Sequence, residues 1–220
     1  MFSFKMSTFE ITKLTIMKKL VLTALVVLGL TTASAQKKGD VEFGLNIGYN
    51  NSSVSDDQSN SDAGNGFNLG GSVDYYFSRA WSIKGKLIYD QKGWNNDLIY
   101  GPNGNLYRTN IDLNYLTVPI MANWHFGNKR NWYLDFGPYF GFLLNAEDSR
   151  FGTDITDAFN TNDFGLAVGI GVKIPVSKKV KIFFEFEGQG GFNDIFKEND
   201  YSAVTNSRSS LNFGLNFLMR

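Results

Sequence analysis

Cysteine is absent from the 220 residues, and histidine occurs once, at His125. No disulfide framework can hold this chain together, and structural zinc, which draws its ligands from Cys and His, is excluded. Neither sign of charge predominates: 21 Lys and Arg stand against 21 Asp and Glu. A basic face of the kind that binds nucleic acid is therefore not expected. Long apolar runs are also missing, since the one candidate, residues 20–30, falls well short of the roughly 20 residues a spanning helix needs. Aromatic side chains are abundant, with 20 Phe, 10 Tyr and 4 Trp, although mean hydropathy is slightly negative. In a bilayer those two properties are compatible only with strands, whose lipid faces use every second position.

The apolar run belongs to a separate segment. Met17, Lys18 and Lys19 form a charged start, residues 20–30 an apolar middle, and Ala33-Ser34-Ala35 a small-residue cleavage site. This three-part pattern reads as a signal peptide over 17–35, cut after Ala35, with residues 1–16 a non-native upstream extension and Met17 the true start. The remaining 36–220 form one domain carrying 17 basic and 20 acidic residues, a net charge near −3. With no disulfides available, a closed hydrogen-bonded sheet is the natural source of stability.

Apolar and polar side chains alternate over eight stretches: 41–49, 67–77, 81–94, 107–126, 132–142, 164–174, 180–189 and 211–220. The first sets Val41, Phe43, Leu45, Ile47 and Tyr49 against Glu42, Gly44, Asn46 and Gly48. The sixth sets Phe164, Leu166, Val168, Ile170, Val172 and Ile174 against Gly165, Ala167, Gly169, Gly171 and Lys173. The fourth changes phase, because Ile111, Leu113 and Tyr115 hold one parity and Leu116, Val118, Ile120, Ala122, Trp124 and Phe126 the other. A bulge near Tyr115 is expected there, consistent with Pro119, which cannot donate to a ladder.

Connections alternate too. Residues 78–80, 127–130 and 177–179 are tight turns, whereas 51–65, 95–106, 145–162 and 191–209 are long and polar. Short turns on one rim and long loops on the other are the asymmetry of an outer-membrane barrel, with short turns and both termini periplasmic. Tyr75, Phe77, Trp81, Trp124, Phe126 and Trp132 gather beside the short turns as an interfacial girdle, and Tyr49, Tyr89 and Trp94 lie toward the long loops. A soluble up-and-down barrel or a β-sandwich also alternates, but this girdle favours lipid. The expected fold is all-β: an eight-stranded antiparallel up-and-down transmembrane β-barrel.

The leader, the eight strands and above all Asn114-Tyr115-Leu116-Thr117-Val118-Pro119-Ile120 resemble the PorT-like outer-membrane β-barrel family of Bacteroidota, in which a Tyr-Leu-x-Ile-Pro-hydrophobic segment recurs in the fourth strand. The resemblance spans essentially all of 36–220. It implies the barrel fold and assembly by the barrel assembly machinery, and says little about activity. The chain departs from the pattern by ending Phe217-Leu218-Met219-Arg220 rather than on an aromatic residue, which bears on how the terminal strand is recognised.

Function is read from the two faces. Eight strands leave an interior just wide enough for side chains to fill. The inward set includes Glu42, Asp74, Asp90, Asp135, Glu185 and Glu187 against Lys84, Lys86, Lys173 and Lys181, and charges of both signs in that space pair and plug it. No catalytic residue is assigned, because His125 lies beside a short turn, on the rim opposite the loops where outer-membrane hydrolases hold their sites. Asp56, Asp57 and Asp62, or Asp154 and Asp157, could offer oxygen ligands to calcium, but neither group has the spacing of an EF-hand loop. No cofactor or metal is expected. The leading expectation is a non-enzymatic structural or surface-binding protein, whose partners are outer-membrane lipid and an extracellular ligand or envelope protein met through the loops. The alternatives are a narrow passive channel and a membrane subunit of a secretion machine.

Overall fold

The computed structural model describes residues 36–55, 62–101, 103–199 and 202–219. The expected leader, the upstream extension, Asp56, Asp57 and Arg220 lie outside the described residues. Nine strands follow in order: β1 (Val41–Ser55), β2 (Asp62–Tyr76), β3 (Trp81–Tyr100), β4 (Leu106–Phe126), β5 (Trp132–Asp148), β6 (Thr153–Asp154), β7 (Asn162–Pro175), β8 (Val180–Gly191) and β9 (Thr205–Met219). β6 is a two-residue strand paired with the end of β5 in a loop, and the other eight close a ring. Each long strand pairs antiparallel with its chain neighbours, and β1 pairs with β9 from Val41↔Met219 to Ser55↔Thr205, so the sheet has no open edge. No helix among the described residues is long and apolar enough to cross a membrane.

The two faces are inverted relative to a soluble protein. Leu45 and Ile47 are each 63% exposed, whereas Glu42 on the same strand is 1% exposed. That contrast decides between a lipid-facing barrel and a lipocalin-like one, whose apolar residues would point inward. The outward belt from Val41 to Tyr49 is nine residues long. At the rise and tilt of barrel strands it is about 23 Å tall, matching the apolar band of such barrels.

Three details differ from the expectation. First, the strands extend past the belt, so that much of the expected long loops is hairpin; β3 and β4, for example, run to Tyr100 and from Leu106. Second, β4 keeps one phase from Thr109 to His125, with every odd residue buried. Ile111, Leu113 and Tyr115 are apolar but face inward. The irregularity sits at the expected height but on the partner strand: Asn114 pairs with Asn145 and Tyr115 with Leu143, leaving Leu144 as the extra residue of β5. Third, Trp94 is 3% exposed and points into the ring, in the parity of Lys84 and Asp90, so it is not an interfacial residue. Just beyond it Asn95 and Asn96 stand opposite Asn110, and Asn96 adopts a left-handed φ of 61°. Gly93 precedes it at φ 141°, where an added Cβ would lie 2.0 Å from the Ile111 carbonyl oxygen.

Candidate functional site: a wired lumen beneath a loop cap

All ten charged side chains expected inside lie within the ring, buried and ion-paired. At the short-turn end Lys173 of β7 reaches across to Glu42 and Asp74, each at 2.8 Å, and to the Tyr76 hydroxyl at 2.8 Å. Lys181 of β8 donates to the other oxygen of Glu42. In the middle tier Lys84 binds Asp135 at 2.6 Å and Glu185 at 3.2 Å, while Lys86 bridges Glu185 and Glu187 at 2.5 Å each. Tyr133 donates its hydroxyl to Glu185 at 2.8 Å. Higher still, Arg208 pairs with Glu187 and with Asp90, the latter at 3.2 Å, and Asn50 donates to Asp90 at 2.8 Å.

Among the described residues three ion-paired members escape the sequence reading: Lys92, Asp163 and Arg208. Lys92 binds Asp163 at 2.8 Å, and Tyr139 and Asn206 donate to the same carboxylate at 3.1 and 3.0 Å. The signal that finds them is parity carried past the apolar belt: Lys92 continues Lys84 and Lys86, and Arg208 continues Asn212 and Asn216. The buried tyrosines Tyr76, Tyr115, Tyr133 and Tyr139 follow the same rule.

His125 is fully buried and shares a 3.0 Å hydrogen bond with Ser82 through Nε2. Its ring lies 4.9 Å from that of Tyr76 and 6.0 Å from that of Tyr133. A hydroxyl and a base at bonding distance satisfy one element of nucleophilic chemistry. Both side chains are walled inside the ring, which gives this pair a packing role.

Above the charged tiers the filling turns apolar. Trp94, Ile111, Leu113, Tyr115, Leu143 and Ala146 of the ring pack against Phe159, Ile195 and Val204 of two long loops. Phe159 stacks on Phe196 at 4.9 Å, and Trp94 meets each edge-on at 6.2 Å. The loops are latched to one another: Asn160 donates its amide to the carbonyls of Asp194 (2.9 Å) and Phe196 (2.8 Å), and the Asn160 backbone binds Ile195 at 2.7 Å. The mouth on the loop side is thereby roofed.

On the outer face Tyr75, Phe77, Trp81, Trp124 and Trp132 are exposed beside the short turns, and Phe126 is half-buried among them. Trp81 stacks on Trp124 at 6.2 Å, and Trp124 lies 5.0 Å from Phe126. Tyr49 and Tyr89 face outward at the other border, donating to Asn65 at 2.7 Å and Asn114 at 3.0 Å. The calcium candidates engage locally: Asp62 accepts from Asn96 at 2.5 Å, and Asp154 accepts from the Thr156 backbone at 2.9 Å. Asp157 lies in a one-turn 3₁₀ helix, Thr156–Ala158. Among the described residues no group of three or more His, Cys, Asp or Glu could hold a metal ion.

An apolar outer belt around a closed, polar-filled ring defines a small transmembrane β-barrel. A family model described as outer membrane protein beta-barrel domain matches residues 34–197. The chain belongs to that family, and it is a protein of the outer membrane. The match stops before β9, the strand that closes the ring in the structure. Among solved structures, OprG of Pseudomonas aeruginosa aligns with a TM-score of 0.54 at 11% identity, covering 84% of this chain and 98% of that one. The outer membrane protein AlkL aligns at 0.51 and 11% identity, covering 86% and 94%. These likenesses show the shared fold. No curated protein matches the chain.

Proposed function

We propose that this protein is a non-conducting, non-enzymatic barrel that presents a rigid loop platform to an extracellular ligand or envelope partner. The observation that carries the reading is the double closure of the lumen: three tiers of paired charge, then an apolar roof built partly from the loops. Charges drawn from opposite walls fill the space an eight-stranded ring encloses. Loops latched over a filled core supply fixed geometry, which suits recognition better than passage. Short turns and both termini face the periplasm in this reading, following the length asymmetry of the connections. A signal peptide over 17–35 brings the chain there, and the Asn114 to Ile120 segment supports a PorT-like assignment within the family.

Planar-bilayer recording tests the closure. The folded wild-type barrel is expected to give no unitary conductance steps, and reproducible steps would overturn the proposal in favour of a narrow channel. Orientation is tested by single cysteines, which this cysteine-free chain reports without background. Lys197→Cys is expected to label with an impermeant thiol reagent on intact cells, and Lys178→Cys only after the envelope is permeabilised.

A further inference from the structure

The two rims carry opposite charge. At the short-turn rim Lys37 and Lys38 precede β1, Arg79 sits between β2 and β3, Lys129 and Arg130 between β4 and β5, and Lys178 and Lys179 between β7 and β8. All are exposed except Arg130, which is half-buried and donates to the His125 carbonyl at 3.5 Å. Among the described residues the one acid of these segments, Asp40, is buried and accepts from the Lys37 backbone at 2.9 Å. The loop rim is the reverse, exposing Asp62, Asp112, Asp154 and Asp157 among other acids, against Arg108, Arg150 and Lys197. The lumen does not offset the basic rim, because the charges just behind it, Lys173 and Lys181 with Glu42 and Asp74, pair with each other.

We propose that this basic rim is a docking surface for anionic phospholipid headgroups in the leaflet on the short-turn side. The cations come from four separate segments and encircle the ring, so they present a collar and not a one-sided patch. They lie immediately beyond the exposed girdle residues Trp81, Trp124 and Trp132, which border the apolar belt. A lipid whose chains lie against that belt therefore has its phosphate at the height of the collar. Charge complementarity then selects headgroups with net negative charge over zwitterionic ones. A basic residue at an anionic membrane surface contributes roughly fivefold to partition at low salt. One lipid touches only one or two of them, so a preference of about fivefold for one contact, rising to about 25-fold for two, is expected at low salt.

The tryptophans make the test possible, since three of the four sit at this rim and the fourth, Trp94, is buried under the loops. The folded barrel is placed in phosphatidylcholine vesicles containing the same mole fraction of either brominated phosphatidylglycerol or brominated phosphatidylcholine, and quenching of tryptophan fluorescence is compared. Stronger quenching by the brominated phosphatidylglycerol is expected, shrinking toward equality near 1 M salt, where the screening length is about 3 Å. The variant Lys37→Asn/Lys38→Asn/Arg79→Asn/Lys129→Asn/Arg130→Asn/Lys178→Asn/Lys179→Asn should abolish the preference while keeping its heat-modifiable band. If that variant does not fold, the salt series on the wild type decides alone. Equal quenching by the two lipids overturns the proposal. So does equal quenching with salt-sensitive binding of soluble polyglutamate, which would reassign the collar to an acidic macromolecule.

Discussion

Lys173→Met is the sharpest probe of the lumen. The substitution keeps the volume of the aliphatic stem but removes the cation that joins Glu42, Asp74 and the Tyr76 hydroxyl. Glu42 keeps Lys181, and Tyr76 still donates to Glu42 at 3.0 Å. Asp74 is the loser: it retains only the 3.1 Å bond from Asn123 on the oxygen Lys173 had bridged, and its other oxygen has no partner. Removing one partner of a buried ion pair typically costs about 3–5 kcal/mol, whereas replacing both with neutral groups is close to neutral. Lys173→Met is therefore expected to destabilise the folded barrel by about 3–5 kcal/mol, and adding Asp74→Asn to recover at least half of that loss. Equilibrium urea unfolding in lipid vesicles, followed by tryptophan fluorescence and by migration of unboiled samples, measures both. A single mutant within about 1 kcal/mol of wild type would refute the reasoning. Strict additivity of the two substitutions would refute it as well, since it denies the coupling on which the lumen account rests.

Three further outcomes follow from the geometry. Trp94→Ala empties the centre of the roof and should cost about 3–5 kcal/mol, with trypsin cleavage at the exposed Arg150 and Lys197 accelerated; Asn160→Ala should show the same effect more weakly. Gly165→Ala places a Cβ 1.9 Å from the Gly190 carbonyl oxygen and should abolish the heat-modifiable species, whereas Gly188→Ala meets nothing within 4 Å and should fold normally. Ile47→Arg, on the lipid face, should lower stability by about 2–4 kcal/mol in vesicles, a penalty that an exposed site on a soluble protein would not show.

The eight long strands were legible because the belt forces alternation: lipid outside and charge inside leave every second residue apolar. Legibility ended where the belt ends. Above Tyr49 the outward positions become Asn51 and Ser53, both faces turn polar, and nothing in the pattern separates a solvated hairpin from a loop. Arg208, in the polar stretch of β9 beyond the belt, was missed for that reason, and Lys92 and Asp163 lie near the same border. The apparent phase change in β4 had a different cause. An apolar residue on a barrel strand need not face lipid: Ile111 and Leu113 serve a second, internal core that depends on Phe159, Ile195 and Val204 folding back from the loops. Such tertiary closure leaves no periodic trace. The counter-charges of the lumen were readable as a set but not as pairs, because pairing depends on which walls face each other across the ring.

Those pairings also bear on how the ring assembles. Lys173 and Glu42 are 131 residues apart, Lys86 and Glu185 are 99 apart, and the seam between β1 and β9 joins the two ends of the described chain. A sheet lacking its last strand leaves Glu187 and Asp90 without Arg208 and the curved wall without closure. Slipping the seam by a single residue would turn Arg208 out of the lumen and Asn212 and Asn216 toward lipid. The buried ions therefore proofread the join: they reward one register and penalise its neighbours, and they do so only when the circle is complete.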